Sequence, residues 1–272
     1  MVDGVTVTRT RTRHPFAIRH LTVEAVTPLT ETMVRITLTG DLSGFTSTGP
    51  ADHVKVFFPD GAGVLRAPQL EGDRIVRDPD ATYISRDYTP LNWTETSLDL
   101  DFVLHGDTGP ASAWAARAGA GDPLVVAGPR GSKSAPEGAD WWLLCADATA
   151  LPSLGRWLAD APAGLPVRAL VFADTDTLAD YPLPEGADVD WVLTTDDPEP
   201  VVRALDLDSS PDFAGTGFIW AAGEATSLIG VRRYLRRELG LPGGQVAVDG
   251  YWRRGEADAD HHAPIDPSDP EE

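Results

Sequence analysis

The run Trp141-Trp142-Leu143-Leu144-Cys145-Ala146, followed at once by Asp147-Ala148-Thr149-Ala150, indicates the architecture of the second half of the chain. An unbroken apolar run of this length is typical of a strand that is buried on both faces. Three further apolar runs follow, at residues 167–172, 189–194 and 218–222. Helical patterns alternate with them, at residues 151–159, 200–207 and 224–239. This alternation predicts a C-terminal Rossmann-like α/β domain with a parallel sheet.

The first half of the chain has a different pattern, of short strand-like segments divided by turn residues. These segments are rich in Val, Ile, Thr and Phe and span residues 21–26, 33–38, 53–58, 98–104 and 124–127. Glycine and proline separate them, as at Gly49-Pro50 and Pro59-Asp60-Gly61. One helix is predicted to open at Gly109-Pro110 and to run to residue 118, because proline suits the first turn of a helix. The pattern predicts an N-terminal antiparallel β-barrel rather than a parallel sheet.

The boundaries between these parts follow from composition. Residues 132–138 are small and polar, as in a linker, so we expect a first domain at residues 1–133 and a second at 134–255. Residues 256–272 are rich in Asp, Glu and Pro and contain no Lys or Arg, which predicts an acidic disordered tail. The pair His261-His262 lies in this tail, where an isolated pair is more often inert than metal-binding, and no metal site is expected.

The composition excludes several classes of function. The chain has 272 residues, a formal net charge of −20 and a single cysteine, Cys145. The charge argues against nucleic acid or an anionic membrane as partner, since both would repel the protein. One cysteine allows no disulfide and no multi-cysteine metal site, so redox chemistry would need a bound organic cofactor. Because no apolar run has the length of a membrane span and the N-terminus lacks the apolar core of a secretory signal, we expect a cytoplasmic protein without membrane insertion. A monomer is expected as well, although no sequence feature fixes the oligomeric state.

The segment Arg86-Asp87-Tyr88-Thr89 precedes a strand pattern and carries groups that suit a flavin. Arg86 can hold a phosphate through paired donors, the Tyr88 ring can stack on a flat ring, and Thr89 can bond to a ribityl or ring atom. An ordinary strand with an exposed arginine and tyrosine fits the same residues. Taken alone, this segment leaves both interpretations open.

A second segment, from His105 to Ser112, follows a strand and opens the predicted helix. Gly106 and Gly109 let the backbone approach a ligand closely, and the free N–H groups at a helix start attract a pyrophosphate. A plain loop before a proline-initiated helix explains these residues too. The segment is informative only together with Arg86 and Tyr88.

These two segments and several later motifs together resemble the siderophore-interacting protein family, within the ferredoxin-reductase-like superfamily. In chain order, the matching motifs are Arg86-x-Tyr88-Thr89, His105-Gly106-x-x-Gly109-Pro110-Ala111-Ser112, Gly121-Asp122, Gly128-Pro129-Arg130-Gly131-Ser132, Asp147-Ala148-Thr149-Ala150-Leu151-Pro152, Trp220-Ala221-Ala222-Gly223-Glu224 and Gly250-Tyr251-Trp252-Arg253-Arg254-Gly255. They cover nearly the whole chain apart from the tail, so the match is specific as a set.

The resemblance implies a six-stranded antiparallel barrel that holds FAD and a C-terminal domain that binds NADH or NADPH. The FAD-binding residues it implies are Arg86, Asp87, Tyr88, Thr89, His105, Gly106, Gly109, Pro110, Ala111, Ser112, Gly131 and Ser132. In the second domain it implies cofactor contacts from Asp147, Thr149, Ala150, Gly223, Glu224, Tyr251 and Trp252.

Some features of the second domain follow less directly. It has no Gly-x-Gly-x-x-Gly motif, so its dinucleotide site rests on the resemblance. Glu224 fits equally the start of its predicted helix, where the macrodipole favours an acid. Ala222-Gly223 stands where relatives in the superfamily often carry a Cys-Gly pair. Asp174 and Asp176 follow the second apolar run and favour NADH over NADPH.

The resemblance also implies the substrate and the reaction. The basic residues Lys55, Arg130, Arg253 and Arg254 would bind an anionic ferric-siderophore. Hydride would pass from the nicotinamide to FAD, and single electrons from FAD to iron(III), which is released as iron(II); no side chain is needed as a catalytic group. Two alternatives are a general NAD(P)H flavin or ferredoxin-type reductase and a non-catalytic siderophore-binding flavoprotein. A net charge of −20 is a poor match for an acidic ferredoxin.

Overall fold

The computed structural model describes residues 6–72, 74–105, 109–173, 176–193, 197–256 and 263–270. The chain divides into two compact units. The first, here called the barrel unit, runs from Arg11 to Ser134. The second, here called the α/β unit, begins at Ala135 and also includes the described residues that precede Arg11.

The described part of the barrel unit contains ten strands and one helix. The strands are β1 (Arg11–Arg13), β2 (Ile18–Pro28), β3 (Met33–Gly40), β4 (Val54–Phe58), β5 (Gln69–Glu71), β6 (Arg74–Val76), β7 (Ile84–Tyr88), β8 (Ser97–Val103), β9 (Pro123–Ala127) and β10 (Gly131–Lys133). Helix α1 (Pro110–Ala115) lies between β8 and β9 in the sequence. Six strands form an antiparallel sheet in the order β7-β4-β9-β2-β3-β8, while β5 pairs with β6 and β1 with β10.

The six-stranded sheet curls so that its two edge strands approach each other. β7 and β8 stand at opposite ends of the strand order, yet the ring centroids of Tyr88 and Phe102 are 4.2 Å apart. An isolated bridge between Leu91 and Asp99 joins the same two regions. Alternate apolar residues of the strands fill the enclosed core, and α1 contributes Trp114 to it. The predicted six-stranded antiparallel barrel is confirmed.

The α/β unit is built on five parallel strands in the order β13-β12-β11-β14-β15. They are β11 (Trp141–Ala146), β12 (Val167–Ala173), β13 (Val189–Leu193), β14 (Gly217–Glu224) and β15 (Val246–Trp252). The α-helices are α2 (Leu151–Asp160), α3 (Glu199–Arg203) and α4 (Leu228–Arg233), and α4 continues as a π-helical turn (Tyr234–Glu238). Short 3-10 helices span Ala148–Ala150, Asp176–Asp180, Pro211–Phe213 and Gly243–Gln245. Strand β11 is central and buried along its whole length, which confirms the predicted Rossmann-like α/β domain.

Two features of this sheet differ from the sequence prediction. β14 continues through Glu224, which pairs with Trp252 of β15 beyond a bulge, so the last helix begins at Leu228 instead of at Glu224. β15 has no continuous apolar run and is only partly buried, so it gives no clear strand signal.

The described residues that precede Arg11 group with the α/β unit, whereas the sequence prediction places them with the barrel. The side chain of Val7 is buried, with 5% of its surface exposed. The guanidinium carbon of Arg9 lies 5.0 Å from the ring centroid of Trp157 and 5.4 Å from that of Phe218. Apolar burial and cation–π attraction therefore attach this segment to the second unit.

Residues 263–270, which fall in the predicted disordered tail, are packed against helix α4. Ile265 is 3% exposed and joins the core of the α/β unit. Asp266 pairs with Arg233 at 2.6 Å, and Asp269 pairs with Arg232 at 3.1 Å. Composition alone predicts disorder for this acidic segment, but its carboxylates are paired with arginines of α4.

Two further findings concern membranes and metals. Among the residues that the structure describes, no helix is long and apolar enough to span a membrane. The same residues contain no group of three or more His, Cys, Asp or Glu side chains placed to hold a metal ion. The pair His261-His262 lies outside the described residues.

Candidate functional site

Strand β7 carries three of the residues predicted to hold the flavin and forms one edge of the barrel sheet. Its neighbour is β4, in which Lys55 stands opposite Asp87. Nζ of Lys55 lies 2.9 Å from Oδ2 of Asp87, so a predicted substrate residue and a predicted cofactor residue form an ion pair. Each residue of β7 is partly exposed, whereas those of β4 are mostly buried. An edge strand that is partly exposed on both faces is suited to contact with a flat ligand.

The ring of Tyr88 lies in an aromatic cluster at this edge. Its centroid is 4.2 Å from that of Phe102 and 6.1 Å from that of Phe58. Trp114 of α1 packs on the same two rings, at 5.8 Å and 5.5 Å. Burial raises the pKa of the Tyr88 phenol, so the ring stays neutral at physiological pH. A neutral aromatic ring in a fixed position is a suitable surface for stacking an isoalloxazine.

Helix α1 brings the second predicted FAD segment to the same cluster. It begins with Pro110, and the next two residues, Ala111 and Ser112, are buried. The backbone N–H of His105 donates to Oγ of Ser112 at 2.9 Å and so joins the end of the β8 region to the first turn of α1. A Cβ at Gly109 would lie 3.3 Å from Cε1 of His105, which is a close approach. The predicted contact Gly106 lies outside the described residues.

The residue types gathered here fit FAD. Arg86 supplies a guanidinium, Tyr88 a ring, and Thr89, buried at the end of β7, a hydroxyl. Helix α1 contacts β7, so the first residues of α1 and the Arg-x-Tyr-Thr segment lie at the same core. Together they offer donors to phosphate oxygens and a stacking surface to an isoalloxazine.

Gly131 and Ser132, also predicted to contact FAD, are engaged by other protein groups in β10. Oγ of Ser132 donates to Oδ2 of Asp52 at 2.5 Å, and Nε2 of His14 lies 2.6 Å from the same oxygen atom of Ser132. A Cβ at Gly131 would lie 2.5 Å from the carbonyl oxygen of Thr12. These contacts join β10 to β1 and to Asp52 within the barrel unit. The role of Gly131 and Ser132 toward FAD stays a prediction.

The other predicted substrate residues differ in their surroundings. Arg130 is exposed, with its guanidinium carbon 4.8 Å from the ring centroid of Phe16. In the α/β unit, Nε of Arg253 lies 3.9 Å from Oε1 of Glu256, a long ion pair. Arg254 is exposed, and its backbone N–H is bonded within the α/β unit. Arg130 and Arg254 are thus exposed, and the side chain of Arg253 is partly so.

At the carboxyl edge of the parallel sheet, Asp147 brings several predicted cofactor residues together. Oδ1 of Asp147 accepts from the backbone N–H of Thr149 at 2.8 Å and from its hydroxyl at 2.6 Å. Oδ2 accepts from the backbone N–H of Glu224 at 3.0 Å and from Nε1 of Trp252 at 2.7 Å. Burial raises the pKa of the Asp147 carboxyl, although these donors oppose the shift. All four hydrogen bonds to the Asp147 carboxylate therefore come from other residues that are predicted to bind the cofactor.

The carboxylate of Glu224 is also held by protein donors. It accepts from the backbone N–H of Ser227 at 2.6 Å, from the hydroxyl of Ser227 at 2.9 Å and from the backbone N–H of Arg254 at 3.0 Å. Burial opposes its charge, but the hydrogen bonds from Arg254 and Ser227 outweigh burial and hold the pKa of Glu224 below its ordinary value. Glu224 thus caps the turn after β14, and α4 begins only at Leu228.

Tyr251 and Ala150 complete this edge. Oη of Tyr251 lies 2.8 Å from Oγ of Ser153, which is fully buried on α2. Burial raises the pKa of the Tyr251 phenol, so it remains neutral. Ala150 is fully buried and can offer a ligand only its backbone. Asp174 and the side chain of Asp176 lie outside the described residues, so the preference for NADH stays a prediction.

Sequence reasoning missed the aromatic neighbours of Tyr88 and the partner of Tyr251. Phe58 and Phe102 sit in apolar strand runs, which mark them as core residues but not as the support of a stacking ring. Ser153 lies in the middle of a helix, where the sequence gives no sign of a partner 98 positions away. Only the closure of the barrel and the order of the parallel strands bring these pairs together.

Comparison with known proteins covers both units. A family model described as the siderophore-interacting FAD-binding domain matches residues 22–133, and one described as siderophore-interacting protein matches residues 139–255. The ferric vibriobactin reductase ViuB of Vibrio cholerae is 32% identical over 86% of this chain and 89% of its own. An NADPH-dependent ferric-chelate reductase of Escherichia coli is 34% identical over 89% of this chain and 95% of its own.

Solved structures give the same result. A siderophore utilization protein from T. fusca has 38% identity and a TM-score of 0.83, covering 94% of this chain and 100% of its own. A ferredoxin reductase of carbazole 1,9a-dioxygenase, 18% identical over 88% of this chain and 67% of its own, shares the fold with a TM-score of 0.60. The resemblance seen in the sequence motifs is confirmed: the chain belongs to the siderophore-interacting protein family.

Proposed function

We propose that this chain is a ferric-siderophore reductase, which oxidises NADH or NADPH through bound FAD and passes the electrons to iron(III) held by a siderophore. The observation that supports this most strongly is the similarity to a ferric vibriobactin reductase and a ferric-chelate reductase along both units. The barrel and the parallel sheet each carry the residue types that the two cofactors need. FAD, when bound, accepts a hydride and releases electrons singly, which is the change of electron number that this reaction requires.

The barrel unit supplies the flavin site in this proposal. Arg86 and the turn from His105 to Ser112 bind the phosphates, and Thr89 bonds to the ribityl chain or the ring. Tyr88 stacks on the isoalloxazine. The ring of Phe102 packs against the ring of Tyr88, with the two centroids 4.2 Å apart. The neutral state of the phenol matters, because a charged ring would be costly to bury beside the flavin.

The substrate is attracted locally, against the charge of the whole protein. With a net charge of −20 the chain repels anions at long range, so short-range contacts must carry the attraction. The candidates are Lys55 and Arg130 in the barrel unit and, separately, Arg253 and Arg254 in the α/β unit. Lys55 is paired with Asp87 at 2.9 Å, and its side chain is 36% exposed, so it can turn from the carboxylate toward an anionic ligand oxygen. Reduction then releases the iron, since iron(II) binds hard oxygen ligands more weakly than iron(III).

The proposal includes a cytoplasmic location and a monomeric state, which suit an enzyme that uses nicotinamide cofactors and small substrates. The two competing functions make different demands. A ferredoxin-type reductase would reduce a protein partner, and a siderophore-binding flavoprotein would bind the ferric complex without turnover.

The test is iron(II) production by the FAD-loaded protein, measured with an iron(II)-specific chelator in the presence of NADH or NADPH and a ferric-siderophore. Lys55→Gln is compared with Lys133→Gln, which removes an exposed lysine of β10 and leaves the net charge of the two variants equal. We expect Lys55→Gln to raise KM for the ferric-siderophore roughly tenfold, the effect of one charge-assisted contact, and Lys133→Gln to match the parent. If the parent protein forms no iron(II), the proposed function is wrong. If the two variants have equal KM values, Lys55 does not bind the substrate.

A further inference from the structure

We propose that Asp147 is a positioning residue for hydride transfer from the nicotinamide: it fixes the indole of Trp252 and the Gly223-Glu224 turn at the carboxyl edge of the sheet and does not itself contact the cofactor. This inference rests on the proposed function. It assigns Asp147 a different role from the direct cofactor contact that the sequence motif suggests.

The carboxylate of Asp147 has no acceptor capacity left for a ligand. An ionised carboxylate offers about four acceptor positions. Thr149 fills two of them on Oδ1, through its backbone N–H and its hydroxyl at 2.8 Å and 2.6 Å. Glu224 and Trp252 fill the other two on Oδ2, at 3.0 Å and 2.7 Å. A ribose hydroxyl would have to displace one of these protein donors.

The three partners of Asp147 lie at the ends of neighbouring strands of the parallel sheet. Thr149 follows β11, Glu224 ends β14 and Trp252 ends β15, and these strands are consecutive neighbours. The pairing of β14 with β15 shifts register between Gly223 and Glu224, where the carboxylate bridges the two strand ends. One carboxylate therefore ties three strand ends at the edge where ligands bind in open α/β folds.

The indole of Trp252 is both exposed and held in place by a hydrogen bond. It is 37% exposed, whereas Trp220, one strand away, is fully buried. Its N–H bond to Asp147 removes the freedom of the ring to rotate. Trp252 also lines a cavity of about 160 Å³ together with Ala225, Gly250 and Arg253. An aromatic ring held at the rim of such a cavity is a stacking surface for a nicotinamide ring.

The experiment compares two variants that disturb the bond to the indole in different ways. Asp147→Asn turns an amide N–H₂ toward one pair of donors and leaves a neutral, weaker acceptor for the other pair, so the bond to Trp252 is either lost or weakened. Trp252→Phe keeps an aromatic ring but removes its N–H. Asp249→Asn is the matched control. Asp249 lies on β15 with Trp252, and its Oδ2 accepts from Nε1 of Trp220 on β14 at 3.3 Å, so this pair is also a carboxylate bonded to an indole, but its ring is buried.

The kinetic readout separates the two half-reactions in anaerobic stopped-flow measurements. We expect Asp147→Asn and Trp252→Phe each to slow flavin reduction by NADH or NADPH roughly tenfold, and the double variant to lose little more, because both changes remove one contact. Reoxidation of the reduced flavin by a ferric-siderophore should stay within about twofold of the parent, as should both steps in Asp249→Asn. Normal flavin reduction in Trp252→Phe overturns the inference, even if Asp147→Asn does not fold.

The second readout needs neither FAD nor turnover. In protein labelled with 5-fluorotryptophan, the ¹⁹F resonance of Trp252 is assigned by its loss in Trp252→Phe. We expect Asp147→Asn to shift and narrow this resonance, because the ring gains motion, and Asp249→Asn to leave it unchanged. An unchanged resonance in Asp147→Asn overturns the inference. Failure of the parent protein to reduce its flavin with either nicotinamide would instead contradict the proposed function.

Discussion

Replacing Gly223 by alanine should destabilise the α/β unit much more than the same replacement at Gly164. Both glycines have backbone conformations that alanine rarely adopts, with φ of +153° at Gly223 and +83° at Gly164. A Cβ at Gly164 would meet no atom within 4 Å, so only the conformational cost applies, about 1–2 kcal/mol. A Cβ at Gly223 would lie 2.6 Å from both Cγ and Oδ2 of Asp147. The carboxylate must therefore move.

The additional cost comes from the bonds that the moved carboxylate gives up. Oδ2 of Asp147 accepts from Glu224 and Trp252, and a hydrogen bond to a charged group contributes roughly 1.5–3 kcal/mol. Loss of one such bond, added to the backbone strain, gives a total of about 4 kcal/mol for Gly223→Ala. The expected difference between the two variants is thus about 2 kcal/mol or more.

Urea unfolding followed by tryptophan fluorescence and circular dichroism measures both free energies of unfolding. The slope of the free energy with urea concentration should be the same in the two variants, so that the midpoints report stability alone. Equal losses, within about 0.5 kcal/mol, would refute the idea that Gly223 is required by the Asp147 carboxylate.

Three other outcomes are expected. Arg35→Ala removes two hydrogen bonds, both 2.8 Å long, to the fully buried carboxylate of Asp101. The free energy of unfolding, measured in urea, should fall by about 3 kcal/mol, and a loss under about 1 kcal/mol would mean that the pair is only a surface contact. A hydrogen bond from Arg237 lowers the pKa of Asp269 to about 2. The segment around Ile265 should therefore stay packed on the α/β unit above about pH 4 and detach as the pH falls toward 2. The methyl NMR signal of Ile265 reports this change, and a signal independent of pH would contradict it. Burial raises the pKa of Cys145 to about 12, so iodoacetamide should label it in urea but not in the folded protein, and rapid labelling of the native state would disprove its burial.

The sequence predicts those parts of the fold in which a local pattern carries the information. The bounds of β11 agree with its apolar run, because a strand buried on both faces must be apolar at every position. The barrel is predicted from short alternating strands and turn residues. β15 escapes prediction because it is only partly buried along its length, and pairing with β14 provides much of its stability.

The roles of single polar residues are predicted less well, because their partners are distant in the sequence. Asp147 stands where a dinucleotide loop is expected, but its carboxylate is bonded to groups 77 and 105 positions away. Ser132 stands in a family motif, and its hydroxyl is bonded to Asp52, 80 positions away. The composition of the tail predicts disorder, because composition does not reveal which partners lie nearby. In the structure, Arg233 supplies a partner for Asp266.

The central claim is that the barrel holds FAD as an electron carrier between a nicotinamide and ferric iron. Its most direct test is one anaerobic experiment on the FAD-loaded protein, in which the visible absorption band of the flavin is recorded during addition of NADH or NADPH and then of a ferric-siderophore. The account predicts that the band is bleached by the nicotinamide and restored by the ferric-siderophore, with iron(II) formed in proportion. A chain that binds no FAD, or a bleached band that the ferric-siderophore does not restore, would contradict it.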